Sequence, residues 1–472
     1  MNYDVVIRGG HLLIPERGRL EAELAIKDGR VAAILPRDSK ASAEEEIDAV
    51  GKWVIPGIVD PHTHLELGPA EERYLETRSA AIGGVTTVMT YIMNATPFSE
   101  LFVDEVARLE RESVTDVVIH VGLVTPEHIE EIPFYVEKLG LTSFKHFMNF
   151  KRTEGAYMGV GETDDGHLYL LMRALSRYPQ AVLGVHPENI EIVWRLAAEL
   201  KETGRDDLAA YTESRPDFVE ANSIATVLLL ARVTGARVYI PHVTSEIALD
   251  TYRRMRPEEP GRSYAETCPH YLTHTMYNSL GNVGKVNPPL RTQRDIEALW
   301  QGIADGTIVS IGSDHVPRKL EKKQGTVWAS SAGFPGLSTL LPVMLSEGYH
   351  RRQVPLETII RLCSYNPARI YGLYPRKGTL LPGADADVVL VDLDRERTVS
   401  AAEAGSFADY SLYEGWRLRG WPVRTLVRGR TVMRDGEIVA PAGHGRFIPR
   451  GEAAAQGAGE AAGAISRLGA RP

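Results

Sequence analysis

Cysteine is nearly absent from this chain: 472 residues carry two, Cys268 and Cys363, and neither belongs to a Cys-x-x-Cys pair. A zinc ribbon and a disulfide framework are therefore excluded, and a reducing cytoplasm is the expected location. The opening residues, MNYDVVIRGG, have no basic stretch followed by an apolar core, so no secretory signal is visible. Charges, prolines or glycines interrupt every apolar run before it reaches the ~18 residues of a membrane span, and no membrane partner is expected. The net charge is −9 with no basic patch, which argues against nucleic acid. No Gly-x-Gly-x-x-Gly follows the first long apolar strand, and this weakens a doubly wound nucleotide-binding sheet.

What is present is a strong contrast between the ends and the middle. YDVVIRGGHLLI and ELAIKDGRVAAIL near the start, and GTLLPGADADVVLVDL and RTLVRGRTVMRDGEIV near the end, are β-rich with Asp-Gly turns. Residues 1–52 and 376–446 are read as one small β-sandwich domain built from both chain ends. Between them, residues 53–375 alternate apolar β-branched runs with helical patterns. The strand candidates are Trp53–Asp60, Val85–Ile92, Asp116–Val124, Leu141–Met148, Ala181–His186, Ala236–Val243, Ser263–Cys268 and Thr307–Ser313. Eight strand–helix units predict a (β/α)8 TIM barrel, fold class α/β. Residues 447–472, rich in Ala and Gly, are read as a disordered tail.

A barrel places chemistry at the C-terminal ends of its strands. The first candidate ends in His62 and His64, the fourth carries Lys145, the fifth ends in His186, the sixth in His242 and the eighth in Asp314. Singly these residues mean little: a lone His is more often structural, and a lone Asp is more often a turn or cap. Four imidazoles, a carboxylate and a lysine at matching points of one repeat are a candidate metal centre. His11, His128, His167, His350 and His444 are read as solvated, and His146, His270, His274 and His315 as neighbours of the rim rather than ligands. A protonated lysine offers no lone pair. Once deprotonated and carboxylated by CO2, Lys145 would carry two oxygens, one for each of two metals.

The motifs VIPGIVDPHTHLELG, FKHFM, GVHPEN, PHVTSE, ETCPHYL, KVNPPLR and GSDHVPR, in that order, resemble the amidohydrolase superfamily. More narrowly, the chain is similar to the cyclic amide hydrolases: hydantoinase/dihydropyrimidinase, allantoinase and dihydroorotase. The resemblance implies that His62 and His64 bind one metal with Asp314, that Lys145 as N6-carboxylysine bridges to a second, and that His186 and His242 hold the second. It implies two divalent ions, Zn2+ with Mn2+ or Co2+ as alternatives for such an N/O site. It also implies a hydroxide bridging the metals, with Asp314 as the catalytic proton acceptor and donor. A homodimer or homotetramer is expected by the same analogy.

The substrate pocket departs from the pattern. Glu66 stands where dihydroorotases carry a carboxylate-gripping arginine. Phe150 stands where dihydropyrimidinases carry an oxyanion-donating tyrosine. Asn287 replaces a serine before the Pro-Pro pair, and Ala332 replaces an asparagine before GFPG. These three positions, Phe150, Asn287 and Ala332, are the candidate substrate contacts. The expected activity is hydrolytic opening of a small cyclic amide or ureide of the hydantoin or dihydropyrimidine type. An allantoinase or dihydroorotase with an altered pocket is the alternative within the superfamily. A non-catalytic dihydropyrimidinase-related scaffold is the alternative of another class.

Overall fold

The structure is a computed structural model, which describes residues 2–151, 155 and 163–451. Eight parallel strands form one sheet in chain order: β1 (Ile58–Thr63), β2 (Val85–Ile92), β3 (Asp116–Gly122), β4 (Ser143–Phe147), β5 (Val182–His186), β6 (Val238–Ile240), β7 (Ser263–Thr267) and β8 (Ile308–Ile311). The sheet curls until its ends meet. Thr63 bridges His315, the His64 amide donates to the His315 carbonyl at 2.8 Å, and the Ser313 amide donates to Asp60 at 3.0 Å. The ring thus closes through the segments that carry His62, His64 and Asp314. This is the TIM barrel the strand–helix alternation predicts.

The helices lie outside and turn apolar stripes inward. In the helix Gln293–Ala304, Ile296, Leu299, Trp300 and Ile303 are buried, a spacing of three and four that follows one helical face. Its start is set by Thr292 and Asp295, whose side chains cap each other's backbone amides. His128, expected to be solvated, is 1% exposed and forms the corresponding cap with Thr125 at the start of the helix Pro126–Glu137. Histidine at that position satisfies free amides, which composition alone does not reveal.

The chain ends build two further sheets. One has four strands, in the order Arg30–Pro36, Ala22–Lys27, Tyr3–Arg8, Ala43–Asp48. The other has seven and joins both ends: Trp53–Pro56 pairs with Val388–Thr398, which pairs with Arg417–Val427. Side chains such as Ile7, Leu24, Val54, Val388 and Leu426 pack together as their shared core. The terminal β pieces are thus a β-sandwich. The single strand expected over Trp53–Asp60 is in fact two. Trp53–Pro56 belongs to the sandwich and Ile58–Thr63 to the barrel, with Gly57 between them. A Cβ on Gly57 would lie 2.0 Å from Thr86 Oγ1, so the crossing admits only glycine.

The expectation of a tail from residue 447 is corrected at its start. Phe447, Ile448 and Arg450 are buried. The Ile448 amide donates to the Val117 carbonyl at 3.0 Å, and the Arg450 guanidinium donates to Ser143 Oγ at 2.7 Å and to the Ile119 carbonyl at 3.1 Å. Two large apolar side chains and a guanidinium with built-in acceptors provide enough contact to order this stretch against the barrel. The rest of that expectation, residues 452–472, lies outside the described residues.

A buried charge cluster ties barrel to sandwich. Lys377 Nζ, fully buried, lies 2.6 Å from Asp116 on β3, 2.7 Å from Asp387 and 3.0 Å from Asp385. Arg428 also pairs with Asp116. Removing the ammonium would leave Asp387 without a cation among the described residues, beside Asp116 and Asp385, which would keep only Arg428 and Arg376. Lys377→Met is therefore expected to destabilise the protein by about 3–5 kcal/mol. The midpoint of denaturant unfolding measures this, and an unchanged midpoint would show the cluster to be energetically neutral.

Candidate metal centre

Short strands with apolar interiors deliver the site residues to one rim. β1 carries His62 near its end and His64 just beyond it, separated by Thr63, whose hydroxyl donates back to the Met89 carbonyl at 3.0 Å. His62 Nε2 lies 3.2 Å from Asp314 Oδ1, and His64 Nε2 lies 3.5 Å from the same oxygen. Ligand atoms of His62, His64 and Asp314 all fall within 4.8 Å of one another. The second pair sits alongside: His186 Nδ1 faces His242 Nε2 at 3.0 Å, and the rings of His62 and His242 are 5.2 Å apart. The structure thus gathers His62, His64, His186, His242 and Asp314 on one rim. His146, His270, His274 and His315 contribute to neither group.

Lys145 lies in β4, fully buried. Its Nζ is 4.4 Å from the centre of the Tyr91 ring and 4.8 Å from that of Phe147. It has no hydrogen-bond partner among the described residues. Burial pushes the ammonium down to about 8, against the pull of Asp314 and Glu266. The protonated amine is poorly served here, and an amine of lowered pKa can take up CO2.

Burial and neighbouring charges act differently on the imidazoles. Burial, helped by neighbouring cations, holds His186 and His242 below the usual histidine range, and a neutral ring has a lone pair to offer. Burial opposes charge on His62 as well, but Glu266 and Asp314 outweigh it and hold the imidazole up at about 9. Burial works against the Asp314 carboxylate, yet His62 and His64 keep it well below the usual carboxylate range. Two of these side chains are placed by uncommon backbone: His242 has φ 43° and Asp314 has φ 50°. Left-handed conformation in residues other than glycine concentrates at functional sites.

The donor set fits a divalent-metal centre. Two imidazoles and a carboxylate converge on one point, and two more imidazoles meet beside it. At that second point no further His, Cys, Asp or Glu completes a trio among the described residues, and Lys145 Nζ is one of the buried atoms there without a hydrogen-bond partner. A plain lysine would repel a cation, whereas a carboxylated one supplies the missing oxygens.

Two residues that sequence reasoning missed, Glu266 and Glu188, hold the ligands in place. Glu266, fully buried on β7, lies 2.7 Å from His62 Nδ1, accepts from the His242 amide at 3.1 Å, and accepts from the Tyr239 hydroxyl at 2.7 Å. It orients His62 so that Nε2 faces Asp314. Glu188 lies 2.8 Å from His186 Nε2 and accepts from Arg215 at 3.0 Å on both oxygens. Despite burial, Arg215 and His186 hold its carboxyl down at about 2. One signal was available in the sequence, a glutamate inside the otherwise uncharged run YAETC of a buried strand, because a buried charge needs a partner. Glu266→Gln is expected to weaken metal binding about 10–100-fold. Competition with a chelator measures it, and unchanged affinity would reduce Glu266 to a packing role.

The centre opens into a cleft of about 510 Å³. The three candidate substrate contacts, Phe150, Asn287 and Ala332, all line it. Phe150 stacks on Phe147 with ring centres 4.4 Å apart and planes 9° apart. Asn287 Oδ1 accepts from the Tyr211 hydroxyl. Glu66 also lines the cleft, with its carboxylate 3.1 Å from His64 Nδ1.

A barrel with a sandwich built from both chain ends, and a rim of four histidines, a lysine and an aspartate, defines the class of metal-dependent hydrolases. Comparison with known proteins narrows this: residues 53–432 match the amidohydrolase family, and the chain belongs to it. It is 33% identical over 460 residues to the L-hydantoinase of Paenarthrobacter aurescens, covering 95% of this chain and 98% of that protein. It is 31% identical over 448 residues to the D-hydantoinase of Geobacillus stearothermophilus, covering 91% and 93%. Among solved structures, the L-hydantoinase (dihydropyrimidinase) from Arthrobacter aurescens superposes with a TM-score of 0.88 at 32% identity, over 95% of this chain and all of that one.

Proposed function

We propose that the protein is a metal-dependent hydrolase that opens a small cyclic amide or ureide ring of the hydantoin or dihydropyrimidine type. The observation that carries this is the convergence of His62, His64 and Asp314 beside the facing pair His186 and His242, at the floor of the cleft. The hydantoinase relatives, similar over nearly the whole chain, support the same substrate class. His62, His64 and Asp314 would hold one divalent ion, His186 and His242 the other, and Lys145 carboxylated by CO2 would join the two. Zinc is the first candidate, with manganese or cobalt as alternatives. Such ions, when bound, acidify a water and polarise the scissile carbonyl.

The remaining work falls to this chain's own groups. Asp314 is the carboxylate placed to take the proton released as water attacks and return it to the departing ring nitrogen. Glu266 and Glu188 keep His62 and His186 pointing inward. Phe147 and Phe150 form an apolar wall that keeps bulk water from the ring. Phe150 has no hydroxyl, and the Tyr211 hydroxyl donates to Asn287. A second copy of the chain is the expected assembly partner, as dimer or tetramer. Among the described residues no helix is long and apolar enough to cross a membrane.

The test is an assay of zinc- or manganese-loaded protein, with bicarbonate, against hydantoins, dihydrouracil, allantoin and dihydroorotate in parallel. Opening of hydantoin or dihydrouracil is the expected result. Turnover of allantoin or dihydroorotate alone would replace this reading with the runner-up. Protein that takes up no metal would replace it with the non-catalytic scaffold.

A further inference from the structure

The cleft above the metal centre is richer in cations than its chemistry requires. Lys201, Arg215, Lys285 and Arg318 line it, against the carboxylates Glu66 and Asp314. Most of these charges already have work. Asp314 faces the histidines, Glu66 is turned to His64, and Arg215 holds Glu188. Lys285 Nζ donates to the Ser330 carbonyl at 2.5 Å. Arg318 is different. Its guanidinium forms no hydrogen bond and no ion pair among the described residues, although it is half-buried.

The cations are also contiguous. Lys201 Nζ stands 5.2 Å over the Trp328 ring, and Lys285 Nζ stands 4.7 Å over Tyr211. Lys323 Nζ donates to the Lys285 carbonyl at 3.0 Å and is buried. Burial, and then Lys285 and Arg318, push its ammonium well below the usual lysine range, the mark of like charges crowded together. The aspartates that meet the segment following Arg318 are engaged by backbone amides: Asp206 accepts from the Val327 amide at 2.5 Å and Asp409 from the Leu320 amide at 2.7 Å. A half-buried guanidinium next to other cations, facing a cleft, is best satisfied by an anion that arrives with the ligand.

We propose that Arg318 selects substrates whose ring carries an anionic substituent, a carboxylate on a short side chain, and that Lys285 and Lys201 add a supporting positive field. This rests on the hydrolase reading and names its substrate class. The metal end of the cleft receives the ring amide. The substituent, kept from Glu66 by like charge, reaches Arg318. The fork of the guanidinium suits the two oxygens of a carboxylate, and Trp328 and Tyr211 cover the apolar linker between ring and charge.

The test compares 5-(2-carboxyethyl)hydantoin with its neutral counterpart 5-(2-carbamoylethyl)hydantoin on metal-loaded wild type, Arg318→Gln and Arg318→Lys. Initial rates and calorimetric binding are both read. Wild type is expected to favour the anion about 10–100-fold in kcat/KM, the worth of a charge-assisted contact. The ratio should collapse in Arg318→Gln and partly return in Arg318→Lys. Equal use of both rings by wild type, or a ratio that survives Arg318→Gln, would overturn the proposal while leaving the hydrolase reading standing. If neither ring opens, the hydrolase reading fails for hydantoins, and the binding ratio alone decides: no preference for the anion overturns this proposal too.

Discussion

Asp314→Asn is expected to lower kcat on the preferred ring by roughly 10³–10⁴-fold while the barrel stays folded. Asparagine keeps the shape and volume of the side chain, so packing beneath the rim is preserved. What it loses is the charge facing His62 Nε2 at 3.2 Å and His64 Nε2 at 3.5 Å, and with it the capacity to carry a proton. Among the described residues, neither nearby glutamate takes over: Glu66 is turned to His64 Nδ1 at 3.1 Å. Glu266 is bound to His62 on the far side of the ring, at Nδ1, and also holds the His242 amide and the Tyr239 hydroxyl. Steady-state kinetics on metal-loaded protein, with circular dichroism to confirm folding, measure the effect. Full activity in Asp314→Asn would remove Asp314 from the proton-transfer role and leave it at most a ligand.

Lys145 carries the second large effect. Its Nζ is fully buried and without a hydrogen-bond partner among the described residues. Lys145→Ala would confound two losses, since it also opens a cavity. Lys145→Met keeps most of the volume and removes only the amine. It is expected to bind about one metal ion or fewer per chain where wild type binds about two, and to lose ~10³-fold or more in rate. Metal analysis of the dialysed protein reads the first. Native mass spectrometry of the wild-type protein at neutral pH should show the increment of one CO2, absent from Lys145→Met. A Lys145→Met protein with both metals and full activity would show that the amine is not the bridging group.

Much of this was legible in the chain itself, for local reasons. A buried parallel strand reads as an apolar run, and a polar residue at its end interrupts that run, so His62, His64, His186, His242 and Asp314 stand out against their own strands. The barrel then supplies the reason they matter together, since parallel strands bring all their C-terminal ends to one rim. Val85–Ile92 ran the same length in sequence and structure because Gly83 and Gly84 on one side and a polar loop on the other mark its ends. Trp53–Asp60 did not, because a strand leaving one sheet and a strand entering another share the same apolar texture. Only the pairing partners reveal the break: Trp53–Pro56 pairs with Val388–Thr398, and Ile58–Thr63 with Val85–Ile92. The buried end of the chain was misjudged for a similar reason: Phe447, Ile448 and Arg450 are three residues beside a long Ala/Gly run, and composition averages them away.

The sequence by itself determined the alternation of strand and helix, the sandwich from both ends, and the residue types at the rim, because periodicity and punctuation are properties of neighbours along the chain. The tertiary structure alone decided which nitrogen of His62 faces Asp314, that Glu266 and Glu188 orient the rings, and that, among the described residues, Lys145 Nζ has no hydrogen-bond partner and the Arg318 guanidinium lines the cleft without an ion pair. Those facts depend on groups tens to hundreds of residues apart, such as His62 and Glu266. A charge acquires its role from what lies within a few ångströms of it, and no pattern along the chain encodes that distance.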